Sequence, residues 1–485
     1  MQPRQGLPDA EVVRRSRAGR LSAAPHRREG TRPALLARAR RSPVDIAVLD
    51  KLRAVVGPTN VLGTVELAPY VVEGRTPEAA LVPGSVDEVR AVVEIAAGAG
   101  IPIVPWGGGT AAAVGIPTPQ PGIVLDLKRL GQLVEHEPGD LTATVEAGMT
   151  MAALQSALRA RGQWLSLDPP DPEQATIGGV IAANASGPRR HLYGTARDLL
   201  IGVTVVTGDG VVVRGGGKVV KNVAGYDLPK LFVGSHGTLG VIVSVTVKLR
   251  PLPDDERLVA VVFDRLKDAG AAARAVVASD LIPNALEILD AEAARALGLQ
   301  SAEGPGRYTL VVGFDGVREQ VEWQCSELGR IAAQFGGHAA GALPADAWPR
   351  LASASRDAFD APAAVMGLVV LPAAVSEAIE QGTNAARQRG LRSAWSCHAG
   401  VGVITAALAS GAPPEPGPIA SVLHEWRALA KAAGGHATLD WAPLAVKSAV
   451  PVWDDAGAAG RIMQRLKASL DPHNVLNPGR FVAGI

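Results

Sequence analysis

Three separated glycine clusters constrain this chain more than any other feature. They are PWGGGT (residues 105–110), TIGGVIAANASG (residues 176–187) and the end of KNVAGYDLPKLFVGSHGTLGVI (residues 221–242). Glycine lets a backbone approach a flat partner with no Cβ in the way. Each cluster alone is weak: GGGT reads equally well as a plain turn, and the second cluster as a helix packed through Gly178, Gly179, Ala182, Ala183 and Ala185. Three in one order point to an extended cofactor wrapped by one domain. The first can form an anion-binding nest, with the Thr110 hydroxyl as a further donor. Asn184 and Ser186 offer hydrogen bonds in the second. Neither a Rossmann G-x-G-x-x-G nor a P-loop occurs, which argues against an ordinary NAD fold or an NTPase.

Glycine makes up 55 of 485 residues, about 11% against the usual 7% or so, and part of that excess sits in the clusters. A chain of this length suits two or three domains. The net charge of +1 is unevenly spread. Residues 1–41 hold eleven Arg against Asp9, Glu11 and Glu29, a charge of +8, which leaves 37 basic and 44 acidic residues, or −7, for the remainder. A mildly acidic body argues against nucleic acid as the main partner. Residues 1–43 read as a disordered Arg-rich extension, with a basic arm for anionic lipid or a partner as the alternative. Cys325 and Cys397 are too few for a disulfide framework or a four-cysteine cluster, and they fit a reducing cytoplasm. No apolar run is long enough to span a bilayer.

The pattern suggests an α+β protein. A helix is expected through Ile46, Leu49, Leu52 and Val55. Residues 80–82 and 101–104 read as strands around a helix that Ser85 caps, with Glu88 completing a capping box and Val89, Val92, Val93 and Ala96 as its buried stripe. Residues 200–216 read as a hairpin turning at Gly208-Asp209-Gly210. Beyond residue 256, strands at 258–264, 308–316, 367–372 and 400–408 alternate with helices at 266–278 and 318–335. A β-α-β-β-α arrangement over an antiparallel sheet follows, with no sequence repeat.

PEAALVP (residues 77–83), GGGT, the second cluster, Tyr193-Gly194 and GTLGVI together resemble the FAD-binding domain of the vanillyl-alcohol oxidase and para-cresol methylhydroxylase flavoproteins. KNVAGYDL-x-KLF-x-GS and DPHNVLNPGRF (residues 471–481) narrow the resemblance to the glycolate oxidase and D-lactate dehydrogenase branch. It implies a two-subdomain FAD-binding domain over 44–252, an α+β cap with an antiparallel sheet over 253–450, and a segment 451–485 returning to the first domain. It places Trp106, Gly107, Gly108, Gly109, Thr110, Gly115, Pro169, Thr176, Gly178, Gly179, Ala182, Ser186, Gly187, Tyr193, Gly240, Val241 and Ile242 at the cofactor. Residues 107–110 would hold the pyrophosphate. With no His or Cys in the first loop, FAD is expected to bind non-covalently.

The catalytic pattern of that branch is eroded. Where relatives carry H-x-G-D-G-N-x-H, this chain has His398, Gly400 and Gly402, but Val401, Val403 and Thr405 replace the acid, the amide and the second His. His436 follows Gly434 and Gly435 without the family's neighbouring Glu, and Gly234-Ser235-His236-Gly237 has His for Glu. Histidines without carboxylate partners are expected to be structural, so no catalytic or metal-binding residue is assigned. Kept FAD motifs beside an eroded acid site resemble the second flavin subunit of bacterial glycolate oxidases. That resemblance implies a subunit relaying electrons within a complex, alongside a second flavin subunit with the intact motif and an iron–sulfur subunit; peripheral membrane association through such partners is compatible with it. A self-sufficient 2-hydroxy acid dehydrogenase using His398, His436, Arg392 and Lys447, and a non-catalytic scaffold stabilised by FAD, are the alternatives.

Overall fold

The computed structural model describes residues 44–118, 122–217, 227–299, 307–411 and 415–485; the extension 1–43 and the KNVAGY segment 221–226 lie outside the described residues. Strands Ala79–Leu81 and Ile103–Trp106 are joined through helix Val86–Ala99, as the sequence suggests, but they are not neighbours. Strand Ile123–Asp126 lies between them and runs parallel to both, and Val61–Leu62 completes a four-stranded sheet. Ser85 Oγ accepts from the Glu88 amide at the start of the helix, and Gly100 ends it with φ 62°. That left-handed turn suits glycine because it has no Cβ to clash. The first helix, Ile46–Val56, buries Leu52 and Val56 and leaves Ile46 exposed, so its apolar stripe is rotated from the expected one.

A second, antiparallel sheet of five strands runs in the order Leu133–Glu137, Thr142–Glu146, Val241–Lys248, Leu200–Val206, Val212–Gly216. The last two form the expected hairpin, with Gly210 at φ 82° in its turn. Helix Ile177–Ala183 lies on this sheet, with Thr176 as its N-cap and Asn184 left-handed at its C-cap. One apolar core joins both sheets.

The cap is an eight-stranded antiparallel sheet, and its chain order reveals a duplication. Strand Asp255–Phe263, helix Leu266–Val277, strands Ala285–Leu289 and Tyr308–Gly316, helix Arg318–Gln334 and strand His338–Leu343 form one β-α-β-β-α-β unit. Strand Ala364–Val369, helix Val375–Gln388, strands Arg392–His398 and Val403–Ala409, helix Pro416–Ala432 and strand His436–Trp441 form a second. The sequence reading found no repeat because the shared property is the alternation of element types, not residue identity. It also placed strands at 367–372 and 400–408. They run three residues earlier and later respectively, because Pro372 opens a 3₁₀ turn and the chain turns over 399–402. The two units join where Ala285–Leu289 pairs with Arg392–His398, in a register that sets Glu287 opposite His398. The four helices pack on one face of the sheet over a common core.

The C-terminal segment closes on the first sheet. The Ile103 amide donates to the Val475 carbonyl and the Asn477 amide to the Ile103 carbonyl. Asp471 accepts from the amides of Val475 and Leu476 and from Lys467 Nζ, which fixes the DPHNVLNPGRF turn. Among the described residues no helix is long and apolar enough to cross a membrane.

Gly382, in helix Val375–Gln388, tests the packing of the cap. A Cβ there would lie 2.4 Å from Trp395 Cη2, whose ring centroid is 4.6 Å from that of Trp426. Gly382→Ala is expected to destabilise the cap by about 1–3 kcal/mol, measured as an earlier urea transition followed by tryptophan fluorescence.

Candidate functional site

The glycines meet, but their missing side chains make room for protein before ligand. A Cβ on Gly108 would sit 1.8 Å from the Gln174 carbonyl oxygen, one on Gly107 2.1 Å from Thr176 Oγ1, and one on Gly178 2.6 Å from Ala147 Cβ. The first two clusters therefore close on one another, and the second on the strand end at Ala147, only because these positions are bare. Real Cβ contacts do not come that close, so a side chain at any of them must displace its neighbour.

The loop after Trp106 is held from behind by its carbonyls. Arg480 Nη1 donates to the carbonyls of Ala112 and Val114 at 2.7 and 2.8 Å. Lys447 Nζ donates to the carbonyls of Ala113 and Gly115 and pairs with the buried Glu73 carboxylate. The amides of Gly107, Gly108, Gly109, Thr110 and Ala111 have no acceptor among the described residues. Consecutive unpaired N–H groups backed by two cations form a concavity suited to an anion.

That loop walls a channel with Trp106, Thr176, Gly178, Gly179, Ala182, Gly240 and Ile242, so eleven of the seventeen expected cofactor residues surround one space. Six are placed elsewhere. Ser186 lines the adjoining cavity. Pro169 is buried, and its neighbour Pro170 reaches that cavity instead. Gly115 packs on Arg480, and Gly187 leaves room for the Asp168 carbonyl. Strand alternation sends the Val241 side chain into the core, away from Ile242. Tyr193 is an interdomain contact, its hydroxyl donating to Asp315 at 2.6 Å. Sequence reasoning missed His236, Asn477 and Arg480, which also line the channel. DPHNVLNPGRF was the available signal for the last two. His236 adopts φ 50° and packs against the Trp453 and Phe481 rings; burial and Arg480 hold its pKa down to about 4, so it is neutral.

A cavity of about 820 Å³ opens beyond Thr110, Ala111, Ala183 and His236, which line both it and the channel. Its floor is one face of the second cap unit: Val365, Gly367 and Val369, then His398, Val403, Thr405, and His436, Thr438, Asp440. Intervening residues such as Met366, Ala437 and Leu439 point into the helix-covered core. The FAD-domain side contributes Ser186 and Arg190, and the segment after helix Ala347–Leu351 contributes Arg356. Arg356 is committed, with Nη1 and Nη2 donating to the two oxygens of Asp171 at 2.7 and 2.8 Å.

His398 departs from expectation. Its Nδ1 lies 2.6 Å from Glu287 Oε1, so it has a carboxylate partner. Glu287 stands 111 residues upstream and is 1% exposed; burial raises its pKa, and His398 opposes the rise. His436 lines the cavity without such a partner among the described residues. Arg392 and Lys447 do not line the cavity: Arg392 pairs with Glu292, and Lys447 serves the loop. No group of three His, Cys, Asp or Glu able to hold a metal occurs among the described residues.

The site's residues fit a flavin dinucleotide. Besides the unpaired amides, Ser186 Oγ, which lines the adjoining cavity, and Asn184 Oδ1, two residues before it, are buried without a partner among the described residues. Buried polar atoms of this kind are usually satisfied, here by a ligand.

Solved structures share this fold. p-Cresol methylhydroxylase with substrate bound aligns with a TM-score of 0.73 over 90% of this chain and 96% of that one, at 19% identity. 4-Ethylphenol oxidase from Gulosibacter chungangensis gives 0.71 with the same coverage and identity. Residues 77–216 match the FAD binding domain family and residues 252–481 the C-terminal domain of FAD linked oxidases. The chain belongs to the FAD-linked oxidoreductases assembled from these two domains. It is 34% identical to glycolate oxidase subunit GlcD of Bacillus subtilis over 53% of this chain and 55% of that protein. Identity is 33% with a D-lactate dehydrogenase of Archaeoglobus fulgidus over 59% and 64%, and 40% with glycolate oxidase subunit GlcE of Escherichia coli over 31% and 43%. The matched region thus spans about half the length of these relatives.

Two outcomes test the site. Gly108→Ala, whose Cβ must displace the Gln174 carbonyl, is expected to purify without flavin colour while the cap keeps its own fluorescence transition. Burial raises the Asp440 carboxyl from 3.8 to about 7 against the pull of Lys447. The folded state therefore binds that proton more tightly than the unfolded chain, and stability falls as pH rises through that window. Asp440→Asn is expected to melt at higher temperature than the parent at pH 8, with the difference closing towards pH 4.

Proposed function

We propose that this chain is the FAD-binding subunit of a glycolate oxidase-like complex, oxidising a small 2-hydroxy acid and passing electrons to an iron–sulfur partner. The observation that carries the reading is the cavity, lined in part by charged and polar side chains, that shares Thr110, Ala111, Ala183 and His236 with the dinucleotide channel. A small molecule in it would lie against residues that also wall that channel. The resemblance to proteins named as glycolate oxidase subunits and D-lactate dehydrogenases supports the substrate class. FAD, when bound, takes up two electrons and can release them singly. Cys325 on helix Arg318–Gln334 and Cys397 inside the sheet are too few for a four-cysteine cluster, so this reading assigns the iron–sulfur acceptor to a partner. Non-covalent attachment is consistent with a channel that has no cysteine and whose one histidine, His236, is packed against Trp453 and Phe481.

The second reading is a relay, in which another subunit oxidises the acid and this flavin only transmits electrons. Val401, Val403 and Thr405, standing where relatives have polar groups, favour it. The Glu287–His398 pair favours oxidation in this chain. Adding glycolate, D-lactate and D-2-hydroxyglutarate anaerobically to the FAD-loaded chain separates the two. One of them is expected to bleach the oxidised flavin band. A band unchanged by all three, but bleached once a sister flavin subunit is added, would establish the relay.

A further inference from the structure

Arg189 and Arg190 are adjacent, yet only one is engaged. Arg189 donates to Glu256 Oε1 at 2.7 and 3.0 Å, lies 3.6 Å from Asp168 Oδ2 and stacks 3.6 Å over the Trp348 ring. Arg190 lines the cavity and has neither a hydrogen bond nor an ion pair from its side chain to any described residue. Burial lowers its pKa, and the nearby carboxylates of Glu287, Asp168 and Asp198 offset that only in part. An unpaired, partly buried guanidinium facing a cavity is a binding site for a planar anion, which it can grip with two parallel N–H bonds. Ser186 Oγ, buried and unpartnered, lines the same cavity. His398 lines it too, with Nδ1 taken by Glu287 and its other ring nitrogen without a partner among the described residues. The pair sits in the seam between the two cap units, where the strands place Glu287 and His398 directly opposite.

Resting on the function proposed above, we infer that Arg190 anchors the substrate carboxylate and that His398, positioned by Glu287, accepts the hydroxyl proton, without a metal ion. Oxidation of a 2-hydroxy acid to the 2-oxo acid releases one proton from the hydroxyl and a hydride equivalent from C2. The hydride equivalent leaves for oxidised FAD, and the proton goes to His398 Nε2 as the C=O bond forms. A neutral imidazole whose Nδ1–H is held by a carboxylate has the tautomer this needs, with Nε2 as the acceptor. Glu287 also stabilises the imidazolium that results. Val401, Val403 and Thr405 are then compatible with turnover, because the carboxylate that positions the proton acceptor is supplied by another strand.

The test uses the FAD-loaded full chain and oxalate, a planar dicarboxylate with no hydrogen on carbon to lose, titrated by its perturbation of the flavin spectrum. Arg190→Met is expected to weaken oxalate binding about tenfold or more with flavin content unchanged, and Arg190→Lys to restore part of it. Glu287→Gln is expected to slow anaerobic flavin bleaching by the active 2-hydroxy acid about tenfold or more, while oxalate affinity holds or rises, because a carboxylate that competes for Arg190 is removed. That split between rate and binding is one a purely structural seam would not give. Unchanged oxalate affinity in Arg190→Met overturns the anchor, and an unchanged bleaching rate in Glu287→Gln overturns the proton path; either result leaves the proposed function standing if the parent is bleached. A parent bleached by no 2-hydroxy acid, yet binding oxalate through Arg190, overturns the proton path and the oxidation reading together and keeps only the anion site. Melting curves and flavin content for each variant separate these results from misfolding.

Discussion

Backbone meets backbone with no room for a side chain where the loop after Trp106 crosses the segment before helix Ile177–Ala183, and the cofactor site depends on that contact. The 1.8 Å separation between a notional Cβ on Gly108 and the Gln174 carbonyl means that the loop can take this course only with glycine there. Once seated, its carbonyls are captured by Arg480 and Lys447, and its amides are left facing the channel. Those two cations come from the C-terminal segment and from the end of the cap. The anion-binding face of the first domain is thus completed by parts of the chain more than three hundred residues away.

The cap is fixed over that site largely by polar contacts. Arg189 bridges Asp168 and Glu256, Tyr193 reaches Asp315, Arg356 grips Asp171, and Lys447 meets Glu73. Buried ion pairs contribute little net stability, because desolvation offsets most of the attraction, but they are intolerant of misplacement. Their role here is one of register. They hold the cavity floor, built on alternate residues of four cap strands, at one setting beside the channel.

The duplicated cap also explains where polar chemistry can lie. Within each β-α-β-β-α-β unit one face of the sheet is covered by helices and is apolar. The other face of the second unit floors the cavity, and its border with the first unit is the pairing of Ala285–Leu289 with Arg392–His398. A carboxylate from one unit and an imidazole from the other meet at that border. Neither unit alone contains the pair.

The sequence by itself determined the local and the backbone-limited features. Ser85, Glu88 and Gly100 specify a helix through caps, and the GGGT, TIGG and GTLG clusters announce close approach, because glycine's missing Cβ acts at its own position. Eleven of the cofactor residues named from those clusters surround one channel for that reason. What only the tertiary structure decided are the relations between distant segments. Strand Ile123–Asp126 inserts between two strands that are consecutive in the chain, and Lys447 serves a loop instead of the cavity. His398, judged from its neighbours Val401 and Val403, reads as isolated, yet its carboxylate is supplied by a strand paired across 111 residues. Cross-strand partnership is set by sheet order and register, and no spacing along the chain records either.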